Sequence, residues 1–266
     1  MVTGSDTVPV ALSIASSDSG GGAGIQADLK AFARCGVHGV TAIVALTAQN
    51  TLGVTAIHEC PPEFVAAQLQ ALFQDLPPAA VKTGMLFSAP IISSVATELA
   101  GRNLPFVLDP VMLASSGARL LREDAVRALV EQLFPLATVI TPNLLEAQAL
   151  TGLTTEDRAE LAEALVGLGA RAALVTGGHG QQPIDHLYAD GKHLQLPVQR
   201  HPIGATHGAG CTHSAALAAG LARGATLADA ARQAAEVAGA AVAAGLAELG
   251  GGDGPVDALA IRNRQN

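Results

Sequence analysis

Short apolar, β-branched runs alternate along this chain with longer stretches of helical spacing, and most of the runs end on a small or polar residue. Residues 10–16 (VALSIAS) lead through the loop DSGGGAG into a helical pattern from Ile25 to Cys35. Residues 39–49 (GVTAIVALTAQ) and 53–59 (GVTAIHE) are two further runs. Residues 61–76 (PPEFVAAQLQALFQDL) open on proline and space their apolar residues as a helix does. AAVKTGM, PFVLDP and ATVITPN follow as short buried strands, each succeeded by a helical stretch, and RAALVTGG adds another. DHLYADGKHLQL alternates on either side of Asp190-Gly191, a hairpin signal. Two alanine-rich helices, near 209–223 and 226–249, complete the pattern. Such alternation predicts an α/β fold: a mostly parallel central sheet, helices on both faces and an antiparallel edge. With no internal repeat, linker or visible boundary, residues 1–266 are predicted to form one domain.

Composition narrows the function. Only 14% of the residues are charged and 49% are hydrophobic, as a sheet buried on both faces requires. A net charge of −8 and the lack of any Lys/Arg run argue against nucleic acid as a partner. Cys35, Cys60 and Cys211 are odd in number and show no C-x-x-C spacing, which points to a reduced, cytoplasmic protein without a disulfide framework. The N-terminal apolar run has no positively charged flank and reads as a first buried strand, not a signal peptide. The most apolar late stretch, 233–247, carries Glu236 and is mostly Ala, Gly and Val, so no membrane span is predicted.

In sheets of this kind ligands bind at the carboxyl ends of the strands. That directs attention to Asp18, Gln49, Gly84-Met85, Asp109, Asn143 and Gly177-Gly178. SDSGGGAGIQADLK (17–30) brings three adjacent glycines after a strand, which lets a backbone approach a ligand. It is not the dinucleotide fingerprint, because Ile25 stands where that pattern needs glycine, and no P-loop pattern occurs anywhere. A tight packing turn is the competing explanation, although Asp18 at a buried strand end needs a partner. Asn143 and Glu146 sit three apart at a helix start and share a face. With Asp109 they offer oxygen ligands suited to Mg²⁺, while a capping pair explains the same spacing. In HGAGCTHSA (207–215), Gly208 and Gly210 free the backbone so that amides converge on an anion at a helix N-terminus. There the thiol of Cys211 is expected to have a lowered pKa. The alternatives are a small buried cysteine and a Cys–His pair with His207 or His213.

Taken in order, IASSDSGGGAGIQADLK, TAQNT (47–51), VKTGML (81–86), VLDPVM, VITPNLLEA, GGH (177–179) and THGAGCT (206–212) resemble one family. They are similar to the hydroxymethylpyrimidine/phosphomethylpyrimidine kinases of thiamin biosynthesis, members of the ribokinase-like superfamily. The resemblance implies a ribokinase-like fold and transfer of phosphate from ATP to 4-amino-5-hydroxymethyl-2-methylpyrimidine, then to its monophosphate. It further implies that Gly208 and Gly210 form the anion hole and that Cys211 accepts the hydroxymethyl proton. Gln49 would read the aminopyrimidine, its carboxamide supplying both donor and acceptor. Asp18, Gly22, Met85 and Val111 would line the substrate pocket. Asn143, Thr176, Gly178 and Thr206 would hold ATP, with Asp109 and Glu146 on Mg²⁺. A cytoplasmic homodimer is expected.

Three departures stand out. Thr176 occupies the place of the family's lysine before GGH, Ser115 replaces a lysine after the DPVM strand, and NTHGTGC has become ATHGAGC. Two cations expected near phosphates are therefore missing, which bears most on the second phosphorylation. Arg119 is a candidate substitute. A pyridoxal/pyridoxine kinase is the alternative activity, and a non-catalytic ligand-binding homologue is the alternative class.

Overall fold

The computed structural model describes residues 7–112, 123–178, 180, 182–203 and 205–262. Ser115, Arg119 and His179 lie outside these described residues. The strands are β1 (Val10–Asp18), β2 (His38–Asn50), β3 (Gly53–Glu59), β4 (Ala80–Thr83), β5 (Phe106–Leu108), β6 (Val139–Ile140), β7 (Ala172–Val175), β8 (Ile184–Ala189) and β9 (Lys192–Pro197). The helices are α1 (Gly24–Arg34), α2 (Pro62–Asp75), α3 (Ala89–Leu99), α4 (Glu123–Ala128), α5 (Leu144–Thr151), α6 (Arg158–Gly167), α7 (Ala209–Ala222) and α8 (Leu227–Ala243). One nine-stranded sheet runs in the order β3-β2-β1-β4-β5-β6-β7-β8-β9. Pairings from β2 through β7 are parallel; β2–β3, β7–β8 and β8–β9 are antiparallel. The expected hairpin edge is there, and the opposite edge is antiparallel as well. The two residues between Asn50 and Gly53 allow β3 only to turn back along β2.

Strand periodicity divides the core into two layers. Leu12, Ile14, Leu108, Ile140, Ala173 and Val175 face α2 to α6. Their neighbours Ala11, Val107, Val139, Ala172 and Leu174 face α1, α7 and α8. The second layer is thin because its helices are built from alanine: Ala215, Ala216, Ala218, Ala219, Ala230, Ala231 and Ala234 are all fully buried. A side chain at Gly220 would come within 2.9 Å of the Ala230 Cβ, so α7 and α8 approach almost backbone to backbone. Helix α8 ends at Ala243, short of the expected 249. The amide of Gly245 turns back to Val242, and the Leu246 amide leaves the helix to donate to the Pro255 carbonyl (2.9 Å).

After β1 the chain runs to β2 on one side, and after β3 it crosses to β4 on the other. The order therefore reverses beside β1, and the crevice at the carboxyl ends of β1 and β4 is the ligand position for such a sheet. Phe32 holds α1 against this point, fully buried and touching the place where a Gly39 side chain would stand. Phe32→Ala is expected to lower stability by about 3–5 kcal/mol, measurable by urea unfolding.

Candidate active site

The turn after β1 is organised by a single carboxylate. Asp18 Oδ1 accepts the Gly20 amide (2.8 Å), and Oδ2 accepts those of Gly22 (3.0 Å) and Ala23 (2.9 Å). His207 Nε2 lies 3.0 Å from the same Oδ2. Asp18 thus finds the partners its burial demands, and its carboxylate is spent on the loop. Gly208, at φ +82°, sits against this turn, since a Cβ there would fall inside the Gly22 carbonyl. The two glycine loops, 186 positions apart by the spacing of Gly22 and Gly208, are in contact because neither carries a side chain at the meeting point. Gly208 caps α7, whose first turn carries Gly210 and Cys211. A Cβ at Gly210 would meet nothing within 4 Å, so this glycine borders open space, as an anion hole requires.

Beneath α7 lies a buried polar chain. Ser13 Oγ donates to Asp28 Oδ2 (2.6 Å), and Lys82 Nζ donates to both Asp28 oxygens (2.8 and 3.0 Å). Lys82 also stands 3.9 Å from Asp109 Oδ2, which accepts from Ser214 Oγ (2.7 Å). Burial alone would lower the Lys82 ammonium, but the charges of Asp28, Cys211 and Asp109 more than offset it and hold the group protonated. Burial raises Asp28 and Asp109 against the pull of Lys82. The thiol of Cys211 is pushed up to about 12: burial dominates, Lys82 pulls down, and Asp28 and Asp109 push further up. This overturns the expectation of a thiolate near neutral pH. A helix N-terminus cannot outweigh desolvation beside two carboxylates. Among the described residues no hydrogen bond joins Cys211 to a histidine; His207 Nε2 pairs with Asp18 and His213 Nε2 with Asp185 (2.9 Å).

Asn143 and Glu146 form a complete capping box. Asn143 Oδ1 accepts the Glu146 amide (3.0 Å), and Glu146 Oε2 accepts the Asn143 amide (2.9 Å). Even so, Glu146 is pushed up to about 8, first by burial and then by the charge of Asp109. A buried carboxylate raised by the charge of a second fits a divalent cation that completes its shell with phosphate and water. Among the described residues no group of three or more His, Cys, Asp or Glu is assembled to enclose a metal.

At the end of β7, Asp185 accepts the Gly177 amide (2.6 Å) while holding His213 of α7. Arg158 Nε donates to the Thr176 carbonyl (3.3 Å) and Arg200 to the Gly177 carbonyl (3.0 Å). Gly178 borders open space. Thr206 is tied by its amide and hydroxyl to Asp253 (both 2.9 Å). The Gln49 carboxamide lies between the Thr47 hydroxyl (3.0 Å) and His207 (3.4 Å). Met85 is buried at the end of β4, and Val111 is half-buried, its amide donating to the Asp109 carbonyl (2.9 Å).

The predicted residues thus gather in three groups: Asp18, Gly22, Gln49 and Gly208 around His207; Cys211 and Asp109 around Lys82, with Glu146 next to Asp109; and Thr176 and Gly178 at the end of β7 near Asp185. His207 as a hub, Lys82, Asp28, Ser214, Asp185 and Asp253 were not anticipated. Lys82 had a signal, since a charge inside the apolar run AAVKTG needs a buried partner.

A glycine-flanked helix start stands over the buried carboxylate of Asp109 in a nine-stranded sheet of ribokinase-like order, and the class is that of the ribokinase-like kinases. Residues 18–257 match the family model for phosphomethylpyrimidine kinase, and the chain belongs to that family. It is 52% identical over 206 residues to a hydroxymethylpyrimidine/phosphomethylpyrimidine kinase of Rhizobium meliloti (strain 1021), covering 75% of this chain and 77% of the relative. Among solved structures, phosphomethylpyrimidine kinase from Clostridium difficile 630 matches with a TM-score of 0.76 and 37% identity, over 86% of this chain and 96% of the other. The pyridoxal kinase from Staphylococcus aureus in complex with pyridoxal matches with a TM-score of 0.87 and 32% identity, over 96% and 94%.

Lys82→Met is expected to destabilise the protein by about 3–5 kcal/mol, because it strands two buried carboxylates. Lys82→Met combined with Asp28→Asn should recover part of that loss in urea unfolding. Alkylation of Cys211 by iodoacetamide, followed by mass, should be slow at pH 7.5 and still rising at pH 10, as a thiol near 12 dictates.

Proposed function

We propose that this chain phosphorylates 4-amino-5-hydroxymethyl-2-methylpyrimidine with ATP, first to the monophosphate and then to the diphosphate, in thiamin biosynthesis. The carrying observation is the meeting of Gln49, a donor–acceptor reader, with the glycine loop of α7 through His207. In this reading Gln49 takes the amino group and its neighbouring ring nitrogen, Met85 and Val111 line the ring, and Asp18 and Gly22 shape the loop beneath it. Gly208 and Gly210 receive the transferred phosphoryl group on backbone amides, where charge develops in the transition state.

Phosphoryl transfer proceeds through a loose transition state that asks mainly for positioning and charge stabilisation. A neutral Cys211 thiol suits that demand by orienting the hydroxymethyl group; because it keeps its own proton, the hydroxyl proton passes to a phosphoryl oxygen as the new bond forms. Asn143, Thr176, Gly178 and Thr206 hold ATP. Asp109 and Glu146 would hold Mg²⁺, which when bound neutralises phosphate charge. Arg158 and Arg200, bonded to the carbonyls of Thr176 and Gly177, bring positive charge to the loop that lacks the family's lysine. Both phosphorylations are therefore assigned to this chain. No helix among the described residues is long and apolar enough to cross a membrane. A homodimer follows from the family resemblance.

Pyridoxal is the second substrate to weigh, because pyridoxal kinase from S. aureus shares the fold at a TM-score of 0.87. The test is incubation with Mg²⁺–ATP and either ring, with products followed by mass. Sequential mono- and diphosphate of the pyrimidine are expected. Monophosphate alone would remove the second step, pyridoxal phosphate alone would reassign the substrate, and binding without turnover would leave a ligand-binding homologue.

A further inference from the structure

His207 Nε2 has two neighbours, and they cannot both be served as their atoms are placed. It lies 3.0 Å from Asp18 Oδ2 and 3.4 Å from Gln49 Nε2. A carboxylate only accepts. Asp18 is ionised, because burial, which would raise it, is outweighed by His207 and the loop amides, and it is held below its usual value. His207 Nε2 therefore carries a proton and donates it to Asp18. A nitrogen that donates there cannot accept from an amide NH₂, so the Gln49 atom that belongs beside it is the carbonyl oxygen, on the longer arm of an N–H shared with Asp18.

The far side of the carboxamide accommodates the same answer. Thr47 Oγ1 lies 3.1 Å from the Ser17 carbonyl and 3.0 Å from Gln49 Oε1. A hydroxyl has one proton, and two acceptors compete for it. With that proton on the Ser17 carbonyl, the hydroxyl can only accept from Gln49, which places the amide nitrogen beside Thr47. The two ends of a carboxamide are assigned from their partners; His207 calls for the exchange of oxygen and nitrogen, and Thr47 accommodates it.

We propose that Asp18, His207 and Thr47 lock the Gln49 carboxamide with its oxygen toward His207 and its nitrogen toward Thr47, and that this lock sets which way round the aminopyrimidine docks. The inference rests on Gln49 being the pyrimidine reader. A locked amide keeps one oxygen lone pair and one N–H on its outer edge, a match for the substrate's amino group and adjacent ring nitrogen. Because the oxygen is on the His207 side, the amino group is drawn toward Gly208 and the start of α7. The ring carbon bearing the hydroxymethyl group is next to the carbon bearing the amino group, so it turns toward the anion hole. A reversed amide would turn the ring over and carry the hydroxymethyl group away. Gly22 belongs to the same device, since a Cβ there would overlap the His207 imidazole. His207 and Thr47 are positioning residues that act through Gln49.

The test compares kcat/KM for the aminopyrimidine with that for 5-hydroxymethyl-2-methylpyrimidine, which lacks only the amino group. Gln49→Ala should abolish the preference for the amino compound. His207→Phe and Thr47→Val should each cut that preference about tenfold, roughly the effect of one hydrogen bond in a charged network. Neither should cut it further in the Gln49→Ala background, and Thr47→Ser should restore it. Thr47→Val removes only a hydroxyl, so it carries the test should His207→Phe fail to fold. Equal losses on both substrates, with Gln49→Ala still abolishing the preference, would overturn the lock alone. A full preference in Gln49→Ala would overturn the assignment of Gln49 and the lock with it.

Discussion

A lysine ammonium held inside the sheet is the constraint on which the rest of the site depends. Lys82 is fully buried in a four-residue strand, and such a charge persists only with close counter-charges. Asp28 from α1 supplies one, and Asp109 at the end of β5 supplies the other. The ammonium thereby fixes α1 and two strand ends relative to each other. Gly84 leaves room for it, because a Cβ there would come within 3.1 Å of Nζ. Through Asp109 and Ser214 the same chain of contacts reaches α7, so the helix that presents Cys211 is registered against β4 and β5 by charge as well as by packing.

The fold was largely legible because its signals are local. A buried parallel strand needs an unbroken apolar run, and VALSIAS or RAALVTGG is one wherever it folds. The strand-end residues were legible for the same reason: Asp18, Gln49 and Asp109 each break such a run. What was not legible depends on partners distant in sequence. The Cys211 thiol follows its surroundings, set by Asp28, Lys82 and Asp109, and no local rule for helix starts anticipates two carboxylates brought in from elsewhere. The end of α8 was overestimated because Ala244 to Leu249 suit a helix well, and a hydrogen bond to Pro255 decides otherwise.

The alanine-rich layer and the site belong together. Helices α7 and α8 pack closely because their interface is nearly free of side chains, and α7 is thereby held stiffly from its buried face. Backbone amides at the start of α7 gain from this stiffness, since such donors do not reorganise when a charge arrives. The polar work is left to side chains at the rim, where His207 and Asp185 tie the start of α7 to β1 and to the β7 loop.

The segment from Leu249 to Val256 closes one wall of this arrangement. Gly252 donates to the Thr51 hydroxyl (3.3 Å), Asp253 holds Thr206, and Gly254 and Val256 pair with His207 on either side. Every strand of the sheet lies upstream of residue 198. The residues that fasten His207 therefore come from beyond the last strand, and a chain cut back before Gly254 would lose both backbone bonds that hold this histidine.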